Sequence, residues 1–82
     1  MQLFLTRTFQ KHFKRLPEEV RARVKDALLK IRKDPGRGKR LQGQLKGEFS
    51  LRVGAYRIIY TLDEAGNAWI DTVRARKDAY RR

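Results

Sequence analysis

Apolar positions change their period twice along this chain. The opening run LFLT, residues 3–6, is short and β-leaning and predicts a first strand. The spacing then lengthens. Phe9, Phe13, Leu16, Val20, Val24, Ala27, Leu28 and Ile31 recur at steps of three and four and trace one face of helical structure. Pro17 interrupts that series, and Glu18 and Glu19 follow it. A proline with acids behind it suits the first turn of a new helix, where its missing N–H is not needed and carboxylates meet the positive helix end. Two helices are therefore predicted, over about residues 8–15 and 17–33. Lys30, Arg32 and Lys33, followed by DPGRG, mark the stop. The apolar stripe is read as core.

The segment DPGRGKRLQGQLKG has little pattern and reads as a loop. Beyond it the period falls to two. EFSLRV sets Phe49, Leu51 and Val53 against Ser50 and Arg52, and YRIIYTL sets Tyr56, Ile58, Tyr60 and Leu62 against Arg57, Ile59 and Thr61. Gly54-Ala55 between them fits a two-residue turn with glycine first. DEAGN makes the next hairpin loop, AWIDTVRA the last strand, and RKDAYRR a short tail or helical turn. The order is β-α-α-β-β-β in a single domain, residues 1–82. It predicts an α+β fold: two N-terminal helices packed on one face of a small, mainly antiparallel sheet. The opposite face then carries Arg52, Arg57 and Arg74, open to water.

Composition sharpens this picture through charge. Twenty-one Lys and Arg face nine Asp and Glu, a net charge of +12. The basic residues cluster. Arg37, Lys39, Arg40 and Lys46 have no acid among them, and Arg74, Arg76, Lys77, Arg81 and Arg82 meet one, Asp78. Such clusters attract phosphate backbones or a strongly acidic protein, and they carry a self-repulsion that a merely solubilising surface avoids by mixing signs. An arginine fork grips a phosphate at two points. No run approaches the roughly 20 apolar residues that span a bilayer, no long apolar leader opens the chain, and there is no cysteine. A soluble cytoplasmic protein without disulfides is expected.

Several chemistries are excluded. One histidine, His12, and no cysteine make a zinc site untenable, and no other metal or cofactor is expected. There is no Ser-His-Asp set, no P-loop and no G-x-G-x-x-G. His12 lies far along the chain from the arginines and reads as a surface or boundary residue. Catalysis here would run on Arg, Lys, Tyr and a few acids.

LKGEFSLRVGAYRIIYTLDEAG followed by VRARKDAY resembles the RelE toxins of bacterial and archaeal toxin–antitoxin systems, in the wider RelE/ParE superfamily. LPEEVRARVKDALLKIRKDP resembles that superfamily's helical hairpin, so the likeness covers nearly the whole chain. The resemblance implies a ribosome-dependent mRNA endoribonuclease that cleaves in the A site by 2′-OH attack, with an acidic antitoxin as partner. It implies that Arg57 grips the scissile phosphate, that Arg74 protonates the leaving oxygen, and that Tyr80, six residues further on, stacks on a base or orients the 2′-OH. Lys39, Arg40, Lys46, Arg52, Arg76 and Lys77 are the expected RNA contacts. The family's two strand lysines have no counterpart, since Ser50 and Glu48 stand in their places. The general base is left open between Lys46 and Glu48. Two alternatives remain: a ParE-like toxin that inhibits DNA gyrase, and a basic RNA- or ribosome-binding module.

Overall fold

The computed structural model describes residues 2–40 and 47–75. Strand β1 (Leu3–Leu5) leads into helices α1 (Arg7–Lys14) and α2 (Glu18–Lys33), a 3-10 turn at Pro35–Arg37, and strands β2 (Lys39–Arg40), β3 (Glu48–Val53), β4 (Tyr56–Leu62) and β5 (Ala68–Ala75). The sheet runs β1-β5-β4-β3-β2. β1 lies parallel to β5, and every other pairing is antiparallel. The expected α+β arrangement holds.

Both helices are placed by the apolar stripe. Thr6 caps α1: its Oγ1 accepts from the Phe9 amide at 3.0 Å and donates to the carbonyls of Ile70 and Asp71. One hydroxyl thus starts the helix and fixes it to β5. α2 begins one residue later than expected. Pro17 has extended backbone and precedes the first helical residue. Phe9, Leu16, Val24, Ala27, Leu28 and Ile31 are buried against Val53, Ile58, Tyr60, Ala68, Ile70 and Val73 of the sheet, and Phe13 and Val20 pack on their margin. Burying each of the larger side chains contributes about 1.5–3 kcal/mol.

The loop expected after α2 is in part ordered structure, and Tyr60 is the cause. Its side chain is fully buried. Its hydroxyl donates to the Pro35 carbonyl at 2.7 Å and accepts from the Gly38 amide at 2.9 Å. These bonds hold the 3-10 turn against the sheet and deliver Lys39 and Arg40 to pair with Ser50 and Phe49. A Cβ at Gly38 would stand 2.6 Å from that hydroxyl and 2.9 Å from the Ser50 carbonyl, so only glycine fits. Burial pushes the Tyr60 phenol above the ordinary tyrosine value, partly opposed by the Gly38 hydrogen bond.

Gly54 adopts φ +60, as a glycine-first hairpin turn requires. The second hairpin is organised by Asp63. Its Oδ1 accepts from the amides of Ala65 and Asn67, and its Oδ2 from the Trp69 ring N–H at 3.0 Å. These bonds, the indole first, lower the pKa of its carboxyl. β5 has the bounds expected of the last strand and carries one irregularity. Ile59 pairs with Thr72 but Tyr60 with Ile70, so Asp71 is an extra residue in a bulge. The bulge lets Ile70 and Val73, three apart, both enter the core.

Candidate functional site

The register of the three long strands decides where the arginines meet. Arg52 pairs with Arg57 across β3 and β4, and Arg57 with Arg74 across β4 and β5. Adjacent strands are about 4.8 Å apart, so the three Cα atoms span about 10 Å in one line. Leu51, Ile58 and Val73 form the neighbouring row and pack beneath the helices, which puts the arginines on the opposite face. Like charges directly opposite one another weaken a sheet. The row becomes favourable once an anion lies across it.

The face is less uniform than expected. Arg52 and Arg74 are exposed, but Arg57 between them is half-buried. Its Nη1 donates to Ser50 Oγ at 2.8 Å, and Ser50 is only 2% exposed. Ser50 stands where the resemblance leads one to expect a lysine, and it holds the central guanidinium in place. Glu48 pairs with Thr61 at the other end of β3. It is four residues, about 13 Å, from Arg52 along the strand. At that end the face turns aromatic: Phe4 lies 4.6 Å from Trp69, which is 42% exposed. Thr61 donates to Asp71 Oδ2 at 2.5 Å beside them.

Of the other expected contacts, Lys39 and Arg40 form β2. Lys46, Arg76, Lys77 and Tyr80 lie outside the described residues. No cluster of three or more His, Cys, Asp or Glu suited to a metal occurs among the described residues. None of their helices is long and apolar enough to cross a membrane.

Chain distance sets His12 apart from the arginines, but folding does not. A cleft of about 440 Å³ opens where β4 begins and β5 ends. Leu16, Tyr56, Val73 and Ala75 line it together with three basic side chains, His12, Arg15 and Arg74. His12 is half-buried, and its Nδ1 lies 2.6 Å from Thr72 Oγ1. The two residues are 60 positions apart, so nothing local in the sequence announces the pair.

The family model for the ParE toxin of the parDE type II toxin–antitoxin system matches residues 3–80. The chain belongs to this family, within the RelE/ParE superfamily of toxins. Among solved structures, a chain of the RelBE2 toxin–antitoxin complex from Mycobacterium tuberculosis is 31% identical, with a TM-score of 0.83 over 92% of this chain and 96% of that one. The isolated Escherichia coli RelE toxin is 18% identical, with a TM-score of 0.79 over 90% of this chain and 82% of that one. A chain of the RelB–RelE complex from Methanococcus jannaschii is 23% identical, with a TM-score of 0.78 over 94% of each. The latter two likenesses show the RelE-like fold. No curated protein matches the chain.

Proposed function

We propose that this toxin is a ribosome-dependent mRNA endoribonuclease, neutralised by an acidic antitoxin. The observation that carries the reading is the row Arg52–Arg57–Arg74, with its central guanidinium fixed by Ser50. Cleavage by a neighbouring 2′-OH needs in-line geometry and stabilisation of a phosphorane-like charge. Arg57 would hold the scissile phosphate, Arg52 the adjoining charge, and Arg74 the leaving side. Tyr80 would stack on a base or orient the 2′-OH. Lys39, Arg40, Lys46, Arg76 and Lys77 would follow the backbone. Arginine and tyrosine are poor proton carriers at pH 7. Positioning then supplies most of the acceleration, which is consistent with a need for the ribosome to bend the strand. The antitoxin reading draws on the +12 charge and on the toxin–antitoxin complexes among the similar structures.

A second reading is gyrase inhibition without cleavage. It is favoured by the match to the ParE family and by Ser50 and Glu48 standing where the nuclease pattern has lysines. Pulse-labelling after induced expression separates the two. Protein synthesis stops first for the nuclease, and DNA replication for the gyrase inhibitor.

A further inference from the structure

The arginine row lacks a group that exchanges protons readily near neutral pH, and the fold brings the chain's single imidazole to its edge. Register puts Thr72 opposite Ile59, on the same face as Arg57 and Arg74. Thr72 is two residues from Arg74, about 7 Å along the strand. β1 pairs with β5 only as far as Ile70, so the edge of β5 beside Thr72 carries no β1 partner. There the His12 ring reaches the Thr72 hydroxyl at 2.6 Å, and it shares its cleft with Arg74. In the tautomer whose Nδ1–H donates to Thr72 Oγ1, Nε2 is the nitrogen free to accept a proton.

We infer that His12, held by Thr72 beside Arg74, is the proton acceptor of the site for an RNA 2′-hydroxyl. This rests on the nuclease reading. In the step, Nε2 takes the 2′-OH proton as O2′ bonds to phosphorus. The bond from phosphorus to the 5′-oxygen breaks, and the leaving oxygen takes a proton from water. The products are a 2′,3′-cyclic phosphate and a 5′-hydroxyl. The imidazole class changes charge between pH 5 and 8, where neither arginine nor tyrosine does. The charged and titratable groups facing it are Arg15 just past α1, Arg74 on β5 and Tyr56 on β4, and no acid among the described residues lines the cleft.

The test is single-turnover cleavage of ribosome-bound mRNA by the parent, His12→Gln and Thr72→Val, each checked for folding by melting, from pH 5.5 to 8.5. A positioned base contributes about 10²–10⁴-fold. His12→Gln should therefore lose about a hundredfold in the cleavage step and flatten the rise of rate with pH, while binding the ribosome as before. Thr72→Val should lose less and keep the rise. Three results overturn the inference: His12→Gln as fast as the parent, His12→Gln slower with the pH rise intact, or Glu48→Gln abolishing the rise instead. A parent that leaves mRNA uncut overturns the nuclease reading and this inference with it, whereas a cutting parent with an unaffected His12→Gln overturns this inference alone.

Discussion

Tyr60 shows how one side chain turns a patternless segment into structure. Its ring stacks on Phe49 at 5.4 Å, while its hydroxyl bridges Pro35 and Gly38. Tyr60→Phe leaves that carbonyl and amide unpartnered, so the loss should be about 1–3 kcal/mol, read as a lower urea midpoint. The phenol's raised pKa gives the parent a stability contribution that is whole below pH 10 and falls as pH rises further, because the unfolded phenol ionises first. Tyr60→Phe should show a shallower alkaline decline, and an identical decline would exclude Tyr60 as its source. Arg57 has a different balance. Arg57→Ala breaks the bond to Ser50 but relieves repulsion from Arg52 and Arg74. Its cost to stability should stay under about 1.5 kcal/mol, while toxicity disappears. Arg57→Lys keeps the charge without the two-point grip and should restore toxicity only in part. A melting temperature that collapses in Arg57→Ala would mark the residue as structural.

Elements differ in how much of themselves they announce. The stripe from Phe9 to Ile31 and the alternation in β3 and β4 are local, so periodicity gave both helices and both faces. β2 is two residues long, and its pairing depends on a tyrosine twenty residues downstream, so no window of sequence contains its cause. The bulge in β5 did leave a trace, in the three-residue step from Ile70 to Val73 inside an otherwise alternating strand. The meeting of His12 and Thr72 depends on how α1 crosses the end of β5 and left none. The β4–β5 hairpin adds a testable acid response. Asp63's lowered pKa means that its contribution is present above the ordinary carboxylate range and is lost as pH falls through and below about 4. Urea midpoints measured from pH 6 to 2.5 should converge for the parent and Asp63→Asn as the acid limit is approached. A constant gap would show that the carboxylate charge is irrelevant to the turn.

Across the whole molecule, the proposed nuclease function and the +12 charge together predict how RNA would be held. Each phosphate contact with single-stranded RNA adds about −0.7 to the slope of log K against log salt. Arg52→Ala and Arg74→Ala should each make the slope shallower by about that amount, whatever the oligonucleotide sequence. An unchanged slope in both would place the RNA elsewhere. The parallel contact of β1 with β5 has a further effect on when this charged face comes into being. Thr6 is tied to the carbonyls of Ile70 and Asp71, more than sixty residues away, and Ala68 donates back to Gln2. Translation delivers the helices long before the strand they must cover. Until β5 docks, Phe9 and Ile31 lack the Ile70 and Val73 side of their core, and Arg74 has no neighbour in Arg57. Arg74 therefore completes the row only when β5 docks between β4 and β1, so the third guanidinium is set in place by the same step that closes the sheet.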